Sequence, residues 1–232
     1  MTQTPERRPV VAIDGPAGVG KSTVARAVAG RLGYRYIDTG AMYRTVGLVC
    51  LRRGVELEDA ARAAAVAEEL RIDFAPAEDG GQRVLADGED VSLAIRTAEM
   101  GEVASRVSAI PRVREVLVRR QREMGRAGGV VMEGRDIQTN VFPDAEVKVF
   151  LTASEEERAR RRARDLAERG LDVPPAEELI VAIRQRDGRD STRDTAPLTA
   201  APDATIVDTD GLTVEQVVAI IADLVRKAER RC

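Results

Sequence analysis

Histidine is absent from all 232 residues. That gap excludes Ser-His-Asp hydrolysis, Cys-His nucleophilic catalysis and ordinary His-ligated zinc. Tryptophan is absent too, and aromatic residues make up only 3% of the chain, too few for a platform that stacks the bases of a single strand. The two cysteines, Cys50 and Cys232, lie far apart and form no disulfide framework, so a reducing compartment is expected. Cys50 falls in an apolar helical pattern and reads as a core thiol. No apolar run is long enough to cross a bilayer, and Met1 to Arg8 are polar with no signal core, so a cytoplasmic protein is expected. The net charge of −3 argues against a nucleic-acid or membrane surface as the main partner. Lysine is scarce as well. Lys21, Lys148 and Lys227 are the only three among 36 basic residues. Codon bias accounts for the arginines at large, and it makes Lys21 stand out as a site that kept a compact point charge.

What is present centres on Gly15-Pro16-Ala17-Gly18-Val19-Gly20-Lys21-Ser22-Thr23. It fits Gly-x-x-x-x-Gly-Lys-[Ser/Thr], the phosphate-binding loop. Glycines let the backbone curl its N–H groups towards phosphate oxygens, and the helix that follows adds its positive end. Lys21 supplies a charge for the terminal phosphates, and the Ser22 hydroxyl is the expected Mg²⁺ ligand. Context supports the motif. Val10-Val11-Ala12-Ile13 reads as a buried strand before the loop, and Thr23 to Leu32 has helical spacing that Gly33 ends.

The length suits one large or two small domains. Tyr34 to Asp38 reads as a second strand, with helices from about Ala41 to Arg53 and Leu57 to Leu70. Ile72–Ala75, Arg83–Ala86 and Glu89–Val91 read as short antiparallel strands, turned at Pro76 to Gln82 (with Gly80-Gly81) and at Asp87-Gly88. Helices follow from about Thr97 to Val107 and from Pro111 to about Arg126. Val130–Glu133 and Val147–Leu151 are strands. Ser154 caps a charged helix, Pro174-Pro175 opens another running to about Asp190, Thr205–Asp208 is a last strand, and Thr213 to Arg230 a closing helix. Strands alternating with helices predict an α/β fold with a central parallel sheet of about five strands, covered on both faces.

A phosphate loop alone names no reaction. The Asn-Lys-x-Asp of common GTPases and the Leu-Ser-Gly-Gly-Gln of transporter ATPases are absent. Arginine-bearing segments lie instead where a parallel sheet presents its carboxyl ends: Arg44, Arg112 and Arg114, Arg135, and then Arg184, Arg186, Arg189 and Arg193. They point to a second phosphorylated substrate facing the nucleotide triphosphate.

Motifs along nearly the whole chain carry this further. They are Ile13 to Thr23, Asp38-Thr39-Gly40-Ala41-Met42-Tyr43-Arg44, Gly88-Glu89-Asp90-Val91, Ile95-Arg96-Thr97 and Pro111-Arg112-Val113-Arg114. After these come Gly134-Arg135-Asp136-Ile137, Phe142-Pro143-Asp144-Ala145, Arg186-Asp187-Gly188-Arg189-Asp190 and Ala196-Pro197-Leu198. In this order they resemble the bacterial cytidylate kinases, P-loop nucleoside monophosphate kinases that phosphorylate CMP and dCMP. The resemblance implies a P-loop kinase fold. Residues 1–70 and 98–232 would form its core, 71–97 a monophosphate-side β insert and 154–172 a helical lid. It implies that Thr39 and Arg44 contact CMP, that Ser105, Arg114 and Asp136 hold the cytosine with Arg135 beside them, that Arg186 and Arg193 hold the CMP phosphate, and that Asp190 meets the ribose. Asp136, able to accept from the amino group that separates cytosine from uracil, is the main discriminator. A monomer acting on ATP and CMP or dCMP is expected.

Lys21, Asp14, Arg186 and Arg193 are the expected catalytic set, with Glu133 joining Ser22 at Mg²⁺ through water. Arg158, Arg161 and Arg162 read either as lid arginines over ATP or as a solvated helix face. Asp136 reads otherwise as a structural salt bridge, Arg112 as a surface charge, and Arg119, Arg120 and Arg122 as solvent-facing. Two departures from the family pattern stand out. Gln138 replaces a glycine, and is strained if that position has positive φ and harmless if not. Glu133 replaces the more usual aspartate. The competing functions are another small-molecule P-loop kinase, such as a UMP kinase, and a nucleotide-dependent switch that binds a protein.

Overall fold

The computed structural model describes residues 7–77 and 81–230. The readings made on Met1 to Glu6, on Gly80 and on Cys232 lie outside the described residues. In chain order the elements are β1 (Val10–Asp14), α1 (Lys21–Leu32), β2 (Arg35–Asp38), α2 (Thr39–Arg52), α3 (Ala60–Glu69), β3 (Ile72–Pro76), β4 (Gln82–Ala86) and β5 (Glu89–Asp90). Then come α4 (Ala98–Ser108), α5 (Pro111–Gly125), β6 (Val130–Gly134), β7 (Val147–Thr152), α6 (Glu155–Glu168), α7 (Ala176–Thr192), β8 (Thr205–Asp208) and α8 (Val214–Glu229). They fall into two compact units. One takes the described residues up to Ile37 and from Met124 onward, the other Asp38–Glu123.

The first unit is built on a five-stranded sheet ordered β2-β6-β1-β7-β8. β1 pairs in parallel with β6 and β7, and β7 in parallel with β8. Every residue of β1 and β6 is buried. Continuous runs such as Val10-Val11-Ala12-Ile13 suit a strand covered on both faces. Val11, Ile13 and Val149 share one core with Val24 and Val28 of α1 and Val217, Ile221 and Val225 of α8. Gly33, at φ 64°, ends α1 as expected, and the Tyr34 N–H turns back to the Ala29 carbonyl at 2.9 Å. α6 and α7 share a small cluster of Ala159, Leu166, Leu179 and Ile183. Ser154 caps α6, its hydroxyl accepting the Glu157 N–H at 3.3 Å.

The second unit holds the antiparallel sheet β3-β4-β5, closed at Asp87 and Gly88 with φ of 50° and 89°. α2 starts at Thr39, before the expected Ala41, because the Asp38 carboxylate accepts the Ala41 N–H at 2.8 Å and makes Asp38 the cap. Asp59 likewise caps α3 by accepting the Arg62 N–H at 3.0 Å, so α3 begins later than the expected Leu57. Arg120 does not face solvent freely, as the sequence led us to expect. It is half-buried and donates to the carbonyls of Leu70 at 2.6 Å and Glu68 at 2.8 Å, answering the last carbonyls of α3. Cys50 is fully buried, as expected.

Candidate active site

Asp14 ends β1 directly opposite Gly134, which ends β6. The segments after these two strands therefore leave the sheet side by side. After β1 the chain turns through Gly15, Gly18 and Gly20, with φ of 152°, 79° and 90°. A Cβ on Gly15 would stand 2.3 Å from the Leu151 carbonyl oxygen. Glycine is required there both by conformation and by space. Gly15→Ala is expected to cost on the order of 1–2 kcal/mol of stability. Urea unfolding checks this, and an unchanged midpoint contradicts the close approach.

α1 begins at Lys21 without a side-chain cap and without an acidic residue in its first turn. Its positive end is left for an anion. Lys21 is 6% exposed, and its Nζ donates to the Pro16 carbonyl at 2.6 Å. Burial drives its ammonium down to about 7, Arg135 and Arg186 push the same way, and Glu133 and Asp14 oppose them. With two guanidinium groups set against two carboxylates, burial is the main cause of the depression.

The carboxylates sit at the neighbouring strand ends. Asp14 is fully buried and accepts from the N–H groups of Ile137 at 3.0 Å and Gln138 at 2.9 Å. Burial raises its carboxyl to about 6. The two N–H bonds hold it lower, and Asp136 adds to the rise. Glu133 is buried and accepts the Tyr36 hydroxyl at 2.6 Å.

Gln138 is neither strained nor a harmless loop residue. Its φ is not positive, and it lies in a π-helical turn, Ile137–Val141, 1% exposed. Its amide oxygen accepts the Ala201 N–H at 3.1 Å, and Nε2 donates to the Val149 carbonyl at 3.4 Å. A buried side chain with donor and acceptor both engaged is a structural strut.

Next to this turn Arg135 Nε donates to Asp190 at 2.9 Å. Burial alone would raise the Asp190 carboxyl, but Arg135, Arg186 and Arg193 outweigh it and hold it below its ordinary value. Arg193 pairs with Asp136 at 3.5 Å and donates to the Ala196 carbonyl at 2.7 Å. Asn140 donates to the other Asp136 oxygen at 3.0 Å. Five residues singled out from sequence, Arg135, Asp136, Arg186, Asp190 and Arg193, thus form one cluster.

Arg158 and Arg161 of α6 reach the glycine loop, donating to the carbonyls of Ala17 at 3.2 Å and Val19 at 3.1 Å. Arg161 also grips the hydroxyl and carbonyl of Thr209, both at 2.8 Å. Arg162 turns instead to Asp165 at 3.2 Å, the solvated-face alternative. Sequence reasoning missed Thr209 and the contact role of Asp187, which pairs with Arg158, and it flagged Gln138 without foreseeing its strut role.

In the second unit Thr39 is buried at the start of α2, and Arg44 pairs with Asp38 at 2.8 Å. Arg114 is 2% exposed, donates to the Ser108 carbonyl at 3.3 Å and lies over the Tyr43 ring, 5.8 Å from its centre. Ser105 is buried near the end of α4. Arg112 is exposed and pairs with Glu68 and Glu115, the surface charge that was expected.

A glycine loop between a buried parallel strand and an uncapped helix, with a buried lysine behind it, defines a P-loop α/β protein. Residues 11–227 match the family model described as cytidylate kinase. The chain belongs to the cytidylate kinase family. It is 52% identical over 217 residues to a cytidylate kinase from Limosilactobacillus fermentum, covering 94% of this chain and 95% of that one. It is 50% identical to a bifunctional pantoate ligase/cytidylate kinase from a Synechococcus strain, covering 99% of this chain and 43% of the relative. The chain thus spans less than half the length of the bifunctional relatives. A solved structure of an uncharacterized protein from Eubacterium ventriosum shares the fold, with a TM-score of 0.51 at 10% identity, covering 95% of this chain and 99% of that one.

Proposed function

We propose that the protein transfers the terminal phosphoryl group of ATP to CMP and dCMP, giving ADP with CDP or dCDP. The observation that carries this most directly is the glycine loop running into the uncapped positive end of α1, with the buried Lys21 at its first residue and Arg135 and Arg186 close by. A triphosphate on the loop, with a monophosphate beside it, would supply the anion that this helix end lacks.

The acceptor is a phosphate oxygen, already anionic at neutral pH, so no general base is needed. Catalysis then consists of positioning and charge neutralisation. Lys21 holds the transferring group. The loop from Gly15 to Thr23, with Arg158 and Arg161, takes ATP, and Arg162, turned to Asp165, stays on the solvated face of the helix. Thr39, Arg44, Ser105, Arg114, Arg135, Asp136, Arg186, Asp190 and Arg193 are assigned to CMP. Ser22 and Glu133 suit Mg²⁺, because both offer hard oxygen donors. Mg²⁺ takes few protein ligands beside phosphates and water, and among the described residues no cluster of three acidic or thiol side chains forms a cage for it. When bound, Mg²⁺ would screen the charge on the phosphate oxygens. Asp14, anchored by two N–H groups, keeps the Ile137 turn against the loop. We read residues 71–97 as the monophosphate-side insert, 154–172 as the lid and the remainder as the core. We further read the protein as a cytoplasmic monomer with no nucleic-acid or membrane partner. Among the described residues no helix is long and apolar enough to cross a membrane.

Coupled ADP release with CMP, dCMP and UMP as acceptors tests the reading. CMP and dCMP are expected to be turned over at least tenfold more efficiently than UMP. A preference for UMP moves the chain to another small-molecule kinase, and slow hydrolysis indifferent to acceptor moves it to a switch.

A further inference from the structure

Asp187, in α7 beside Arg186, has no place in the roles above. One of its carboxylate oxygens accepts the Ala17 N–H at 3.0 Å. The other pairs with Arg158, whose Nη1 donates to the Ala17 carbonyl at 3.2 Å. Both backbone polar groups of one glycine-loop residue are therefore claimed by an ion pair assembled from two helices. The contact is tight. The Arg158 side chain is 7% exposed, and a Cβ on Gly18 would stand 3.2 Å from Arg158 Cβ. The Arg158 Nε is buried and has no hydrogen-bond partner, so this guanidinium is not saturated by its present contacts. A carboxylate at a loop that receives phosphate repels the very ligand the loop takes, unless it does something before that ligand binds.

We propose that Asp187 is a positioning residue of the donor site, a carboxylate that stands in for nucleotide. It fixes Ala17 and Arg158 against each other and yields Arg158 when a nucleoside triphosphate binds. Three consequences follow. The lid arginine is delivered already aimed at the loop. Its charge is quenched until the donor arrives. Part of the binding energy of the triphosphate is spent on displacing Asp187, which weakens donor affinity relative to a loop without that carboxylate. Arg161 behaves differently, because its carboxylate partner, Glu157, lies on its own helix and touches no loop atom in the same network.

The inference rests on the glycine loop being the donor site, and that reading is checked first. Calorimetric titration of the wild-type protein with MgATP is expected to show one site, and no binding ends the donor-site reading whatever Asp187 does. Asp187→Asn keeps the size and removes the charge. Its Kd for MgATP is expected to fall about fivefold, and its KM for ATP with it, while the Kd for CMP stays within twofold. Asp187→Glu restores the charge and is expected to return the MgATP affinity to near the wild-type value. A purely structural clamp predicts the opposite sign. A folded Asp187→Asn protein that binds MgATP equally well or more weakly overturns the proposal. If that variant does not fold, a crystal structure of the wild-type protein with Mg²⁺ and a non-hydrolysable ATP analogue decides the matter. Arg158 on phosphate oxygens and away from Asp187 is expected. An Arg158–Asp187 pair still closed over bound nucleotide overturns it.

Discussion

Lys21→Ala is expected to lower the rate of phosphoryl transfer to CMP by about 10³-fold, a loss typical of removing one preorganised charge aimed at the transferring group. The same change is expected to leave the protein at least as resistant to heat as the wild type. The reason is the depressed ammonium, driven down to about 7 by burial and then by Arg135 and Arg186. An unfolded lysine titrates near 10.4, so between those values the unfolded chain binds the extra proton and the folded chain does not. Stability therefore rises with pH across that window, and the lysine costs the fold most below about 7. Alanine removes that cost and leaves the Pro16 carbonyl, the acceptor of Nζ, to water. Parallel measurement of steady-state rate and melting temperature checks both halves. Activity within tenfold of wild type contradicts the assignment. A large drop in melting temperature would mean that the lysine acts as a structural group rather than one held ready for an anion.

The features that were legible in advance share a cause: they are local. Val10 to Ile13 reads as a covered strand, Gly15 to Thr23 as a phosphate loop and Gly33 as a helix stop, because backbone conformation and short-range periodicity decide them. Alternating strands and helices foretold a parallel sheet but not its order, and the pairing of Asp14 with Gly134, which brings the two signature segments side by side, is visible only in the structure. What escaped depends on partners far along the chain. Nothing near Gln138 announces that its amide will be met by Val149 and Ala201, so its burial was not readable from the residue itself. Arg120 looks like a surface residue by helical position, yet a long side chain can run back to carbonyls of another helix. Asp187 was hidden in a basic run, Arg184 to Arg189, where one carboxylate among three arginines reads as local charge balance. Only its distance to the Ala17 N–H separates it from its neighbours.

Asp136 tests how much of the base reading stands on the carboxylate itself. Asp136→Ala is expected to lower kcat/KM for CMP by about 10²-fold and that for UMP by less than about fivefold, a difference of the size one well-placed base contact supplies. The geometry sets up a competing outcome. Asp136 is 5% exposed, pairs with Arg193 at 3.5 Å and accepts from Asn140 at 3.0 Å. Removing a buried carboxylate leaves a guanidinium short of a partner, and Arg193 is itself assigned to the CMP phosphate. If anchoring Arg193 is the whole role, CMP and UMP lose equally, because both carry the same phosphate. If the carboxylate reads the amino group of cytosine, the losses separate. The ratio of the two kcat/KM values is therefore the informative quantity, and it is insensitive to any general loosening of the fold. Asp136→Asn refines it, since an amide of the same size keeps an acceptor while losing the charge that holds Arg193. A variant that retains the CMP preference while turnover of both acceptors falls would place the discrimination in the acceptor oxygen and the rate in the ion pair.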